Sequence, residues 1–288
     1  MRKLIALLLL LAAPAFAQDT VKANPTLWHV TGPAGDAWLL GSIHILPPSV
    51  DWHSAKITKA VAASDVFVFE VPLDAQSVGK LQALVATNGT LPQGQTLRDT
   101  LHAKYQADYD SAVASSGIDP AVLAHERPWL AGLQMMFAQI GRLKFDPNNG
   151  PDTVLLRDAD AAHKDVRYLE TMEDQFAVLA PSDAKLDRDE FEASLGELRN
   201  VADEIQPMVD AWSTGDQVKL EKLVNGDLDT FPAARKTLLD DRNARWFPQI
   251  KAMLKERHTF FITVGAGHLT GPKGLPALLR KAGYKVDG

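Results

Sequence analysis

Apolar positions along the chain follow two rhythms. Stretches 27–30, 37–40, 66–69, 166–169 and 259–264 are short and rich in aromatic and β-branched residues, as strands are. Val66-Phe67-Val68-Phe69 and Phe260-Phe261-Ile262-Thr263-Val264 carry almost no polar interruption, the pattern of strands covered on both faces in a parallel sheet. Gly32-Pro33-Ala34-Gly35 between the first two stretches predicts a hairpin turn. Elsewhere the apolar spacing is helical, over 54–63, 77–87, 97–115, 129–143, 152–162, 172–179, 183–212, 216–224 and 238–257. Asp119-Pro120 reads as a helix start, Asp152 as a helix cap, and Pro248 as a break in the last of these helices. The order of elements predicts an α/β protein with a mainly parallel central sheet. One domain over 18–288 would carry a helical insertion at roughly 74–165 and further helices over 172–257.

The first seventeen residues stand apart from this pattern. Met1-Arg2-Lys3 is a basic start, an apolar run of about ten residues follows, and Ala15-Phe16-Ala17 forms an A-x-A cleavage pattern before Gln18. This predicts a secretory signal peptide and an exported protein, periplasmic or secreted, with no membrane insertion after cleavage. The 288 residues hold no cysteine, so an exported chain would rest on its core without disulfides. Net charge is −6, and removal of a leader bearing Arg2 and Lys3 makes it more negative. That balance argues against a nucleic-acid partner, which calls for a basic surface.

Four of the strand stretches end in an ionisable residue. Gly41-Ser42-Ile43-His44 and Gly265-Ala266-Gly267-His268 are two G-x-x-H elements at strand ends, and Glu70 and Glu170 follow two other strands. The glycines Gly41, Gly265 and Gly267 imply turns tight enough to need them. In a parallel sheet the carboxyl ends share one edge, where α/β sheets place their ligand crevice, so these four residues can meet there. His44, Glu70 and His268 form a common three-ligand set for a catalytic divalent metal, with Glu170 left to accept a proton or orient a ligand. Each has a structural alternative: a scaffolding histidine, a Glu70 bent out to water, a Glu170 that only opens the next helix. Asp240 to Trp246 reads as a solvated, acid-rich helix start, with Arg242 or Asn243 as an oxyanion-stabilising group the functional alternative. His29, His53, His102, His125, His163 and His258 lack such settings, and no H-E-x-x-H, G-x-S-x-G, P-loop or dinucleotide motif occurs.

Gly41-Ser42-Ile43-His44-Ile45-Leu46-Pro47, Phe69-Glu70, Leu169-Glu170-Thr171-Met172-Glu173-Asp174-Gln175, Asp241-Arg242-Asn243-Ala244-Arg245-Trp246 and Val264-Gly265-Ala266-Gly267-His268-Leu269 together resemble the TraB/PrgY/GumN family, most closely its exported GumN-type members. That family is related to TIKI metal-dependent proteases and more distantly to erythromycin-esterase-like hydrolases and haem-binding ChaN-like proteins. The resemblance implies that His44, His268, Glu70 and Arg242 share a site. It implies a metal-dependent hydrolase of peptide bonds, with Mn, Co, Zn or Fe as the divalent ion and a peptide or protein as substrate. A metal-free, esterase-like hydrolase and a protein that binds haem or a peptide signal are the alternatives.

Overall fold

The computed structural model describes residues 20–230 and 232–288, so the predicted signal peptide lies outside the described residues. The strands are β1 (Val21–Lys22), β2 (Leu27–Thr31), β3 (Asp36–Ser42), β4 (Val50–Asp51), β5 (Val66–Phe69), β6 (Asp165–Tyr168), β7 (Thr259–Gly265) and β8 (Lys285–Asp287). Helices α1 (Ala55–Ala63), α2 (Ala75–Asn88), α3 (Leu97–Thr100), α4 (Gln106–Ser116), α5 (Pro120–Leu123), α6 (Pro128–Arg142) and α7 (Pro151–Ala161) precede β6. After it come α8 (Met172–Leu179), α9 (Ala184–Ser194), α10 (Val201–Thr214), α11 (Gln217–Thr230), α12 (Pro232–Arg235), α13 (Asp241–Met253) and, beyond β7, α14 (Leu275–Lys281).

Six strands form the central sheet in the order β6-β5-β7-β3-β2-β8. The strands β6, β5, β7 and β3 are parallel neighbours, and the hairpin strand β2 runs against β3 and β8. The mainly parallel α/β architecture expected from the strand patterns is therefore present. β7 sits at the centre, and Phe260 to Val264 are all buried. Alternation sorts their side chains to two faces. Phe261 joins Leu40, Phe67, Phe69 and Trp212 on one, while Phe260, Ile262 and Val264 join Leu39, Val66, Val68 and Trp246 on the other. Both faces are dry, which is why the runs show no polar period.

The helices form a third core around Leu97, Tyr109, Val113, Met135, Phe191 and Leu195, so helices from the predicted insertion pack in one layer with α9. Three predicted segments differ in where the helix breaks. The 97–115 segment is cut at Leu101 and His102, because the His102 N–H is drawn out to Glu192 Oε1 at 2.7 Å. The 183–212 segment divides near Gly196 and Asn200, the latter outside the helical region at φ −147°, ψ 63°. Helix α13, by contrast, runs through Pro248: Trp246, Ile250 and Met253 anchor it to the sheet on both sides of the proline. No described helix is long and apolar enough to cross a membrane.

Candidate active site at the sheet edge

Register brings the strand ends together. Ser42 lies opposite Gly265, and Phe69 opposite Tyr168, so the residues that follow emerge side by side. Glu70 and Glu170 are 7% exposed and His268 is 3% exposed, none of them turned to water. Arg242 and Asn243 reach the same place from the first turn of α13 and are also buried, which overturns the solvated reading of those two residues.

The Arg242 guanidinium lies at the middle of the site. It forks onto Glu170 (Nε to Oε2 3.1 Å, Nη2 to Oε1 2.6 Å), donates from Nη2 to Glu70 Oε2, and stacks 4.6 Å over Trp246. Its Nη1 donates to His268 Nε2 at 3.0 Å and to the Leu238 carbonyl at 3.3 Å. A guanidinium only donates, so His268 accepts at Nε2 and carries its proton on Nδ1. Nδ1 then donates to Asn243 Oδ1 at 2.8 Å, while Asn243 Nδ2 is spent on the carbonyls of His268 and Lys273. Burial, with Arg242 and His44 close by, outweighs Glu70 and pushes the His268 pKa down to about 3, so this imidazole is neutral.

Burial opposes charge on Glu70 as well, but with His268 neutral it is the Arg242 guanidinium, the His44 imidazolium and the Gly265 N–H (2.6 Å to Oε1) that hold its carboxyl well below the usual range. Glu170 goes the other way: burial and Glu70 raise it against the pull of Arg242. Glu170 does not open α8; Thr171 caps that helix with Asp174 in a capping box.

His44 differs from its neighbours in being open, with a side chain 54% exposed. Its Nδ1 faces Asp152 Oδ1 at 3.2 Å, and the same oxygen accepts from the Ser42 hydroxyl. Dehydration works against the cation, but Asp152 and then Glu70 prevail and lift the His44 pKa to about 9. With half the ring in contact with solvent, the Asp152 partner is the decisive influence. Asp152 is therefore no helix cap: Gly150 stands at that position, and the carboxylate in the first turn of α7 is committed to Ser42 and His44.

The motif glycines serve space rather than backbone handedness, because none of Gly41, Gly265 or Gly267 has positive φ. A Cβ on Gly265 would sit 3.2 Å from His44 Nε2, 3.4 Å from Glu70 Oε1 and 3.7 Å from His268 Cδ2, so all three side chains converge on one point. Asp152, Gln175 (3.4 Å from Glu70 Oε2) and Trp212, which donates to the Gly41 carbonyl at 2.7 Å, belong to the surroundings of this point without having been predicted.

Among the described residues, the compact group of side chains that could hold a metal lies elsewhere: His102, Asp189 and Glu192. There Glu192 already accepts from the His102 ring and backbone, and Asp189 pairs with Lys185 and Arg188.

Two imidazoles, two carboxylates and a guanidinium on the carboxyl edge of a parallel sheet define an α/β protein with a charged acid–base centre. The sequence model of the TraB/PrgY/gumN family matches residues 26–288, and the chain belongs to that family. It is similar to the proteins named YbaP of Escherichia coli (strain K12) and of Shigella flexneri, each 25% identical over 284 residues that span 91% of this chain and 100% of the relative. No solved structure matches the chain. The family likeness read from the motifs thus holds across nearly the whole chain.

Proposed function

We propose that this protein is an exported hydrolase of peptide bonds whose reaction takes place at Gly265, between His44 and Glu70. The observation that carries this reading is the convergence of His44 Nε2 and Glu70 Oε1 on one point beside the open edge of the site. Glu70, held ionised by Arg242, takes a proton from a water that attacks the peptide carbonyl there, and His44, cationic to about pH 9, gives a proton to the amine as the C–N bond breaks. Asp152 sets the His44 ring and its tautomer, as the acid of a nucleophile–histidine–acid triad does. Arg242 keeps Glu70 charged and placed. The leader at 1–17 supports location beyond the membrane.

A metal-dependent form of the same reaction is the second reading, and one observation favours it. Both histidines have Nδ1 bonded to an oxygen and Nε2 turned inward, the arrangement that fixes a metal-ligating imidazole. His44 Nε2 and Glu70 would hold the ion, and His268 could join them only if Arg242 left its Nε2. A bound divalent ion supplies Lewis acidity and a more acidic water. The guanidinium in contact with both Glu70 and His268 favours the direct route.

The test is cleavage of a mixed peptide library by the chain beginning at Gln18, with its metal content measured on the same sample. The direct route predicts turnover that survives chelation and disappears in His44→Ala. Turnover only with added Mn, Co, Zn or Fe would reverse the order of the two readings. Absence of turnover in both, with a haem absorbance band that His44→Ala abolishes, would remove the hydrolase.

A further inference from the structure

A groove of about 590 Å³ opens between α6, α8, α9, α10 and the π-helical turn Lys236–Asp240. Its floor is apolar, built by Trp129, Met136, Phe191 and Leu198, with Leu179 and Leu186 exposed at the rim. Its charge is of one sign. Asp183, Asp187, Glu190, Glu197 and Glu204 line it, and no lysine, arginine or histidine does.

Asp183, Asp187 and Glu197 are already engaged. Asp183 caps α9, and Asp187 is held by Arg127 and by the Trp129 N–H. Glu190 is half-buried and, among the described residues, makes no hydrogen bond or ion pair; Glu204 likewise makes none. A carboxylate drawn into an apolar groove without a partner is costly unless a ligand brings the cation.

The groove adjoins the Arg242 site. Leu238, on its wall, gives its carbonyl to Arg242 Nη1 and lies one helical turn before it. Ala177, also on the wall, is five residues into the α8 helix that starts beside Glu170, a rise of about 7 Å at ~1.5 Å per residue.

We propose that this groove binds a lysine or arginine side chain of the substrate, flanked by an apolar residue. The cation meets Glu190 and Glu204, and the apolar neighbour covers Phe191 and Leu198. This inference rests on the hydrolase reading for the word substrate, but its binding chemistry is independent of turnover.

The experiment is calorimetric titration of the His44→Ala chain, which keeps the groove, with acetyl-Leu-Lys-Ala-amide and with its Gln and Glu counterparts. The lysine peptide should bind about tenfold more tightly than the glutamine one, the effect of one charge-assisted contact, and the glutamate peptide more weakly than both. Glu190→Gln should reduce the lysine preference to about threefold or less without changing affinity for the glutamine peptide. Leu186→Arg, at an exposed rim position that leaves the core alone, should repel the lysine peptide selectively. Equal affinity for the three peptides, no binding by any, or a lysine preference untouched by both variants overturns the proposal. Cleavage by the unmutated chain with no preference for lysine near the bond leaves the hydrolase and removes the groove. Lysine-selective binding without cleavage leaves the groove and removes the hydrolase.

Discussion

Replacing Arg242 by methionine removes the one cation shared by two buried carboxylates. Glu70 and Glu170 side chains are 8% and 2% exposed, and Arg242 is 8% exposed, so solvent screens little of what is lost. Breaking such a pair by deleting one partner costs about 3–5 kcal/mol, because the remaining charge stays buried without its partner. At roughly 2–4 °C per kcal/mol for chains of this size class, Arg242→Met should lower Tm by ~6–20 °C at pH 7. The pH dependence supplies the sharper test. In the parent chain the Glu70 pKa lies near 2, below its ordinary 4.5, so its contribution is full above pH 4.5 and is lost as pH falls towards 2. In Arg242→Met both carboxylates are raised instead, so protonation relieves the variant as pH falls from 7 to 5. The gap in stability between the two chains must narrow on acidification, and Glu170→Gln in the variant should recover about half of it. Urea unfolding at pH 7, 6 and 5 measures this. A gap that is constant with pH, or smaller than about 1 kcal/mol at pH 7, would refute the shared-guanidinium account.

Two further outcomes follow from the same geometry. Asp152→Asn should bring the His44 pKa down from about 9 towards an ordinary histidine value, as followed by NMR titration of the ring proton at Cε1. His44 is raised in the fold, so its contribution to stability is present at mildly acidic pH and fades as pH rises through about 9; the variant should lose that slope. Gly150→Ala puts a Cβ 2.2 Å from the His44 carbonyl oxygen, a backbone atom that cannot give way, whereas Gly265→Ala meets side chains at 3.2 Å and beyond. Gly150→Ala should therefore destabilise the chain more than Gly265→Ala, a ranking that thermal melts of the two variants decide.

The sheet was readable because its strands are dry on both faces. Continuous runs such as 66–69 and 259–264 have no polar period to misplace, and the residue after each run marks the sheet edge. The elements that the sequence did not disclose are short or tertiary in origin. β8 has three residues and owes its existence to β2, and the break at His102 owes its to Glu192, ninety residues away. Pro248 misled because the helix on either side of it is held by the sheet, not by propensity. In the site, the groups that end strands could be found from the pattern. Asp152 could not, because its local sequence is equally suited to an ordinary helix start, and the same ambiguity left Arg242 and Asn243 only an alternative to a solvated helix start.

The repeated G-x-x-H element has a meaning that neither copy has alone. Strands β3 and β7 are direct parallel neighbours, with Gly41 opposite Val264 and Ser42 opposite Gly265. A Cβ on Gly41 would lie 3.1 Å from the Ala266 Cα and 3.3 Å from its Cβ, and one on Gly265 would lie 3.2 Å from His44 Nε2. Each motif's first glycine thus leaves room for the other motif: Gly41 admits the turn that carries His268, and Gly265 admits the imidazole of His44. The two histidines then take opposite characters from different neighbours, His268 buried and neutral against Arg242 and Asn243, His44 open and cationic against Asp152. One imidazole holds the guanidinium in place and the other is free to exchange a proton, a division of work that identical motifs could not reveal without the helices that supply their partners.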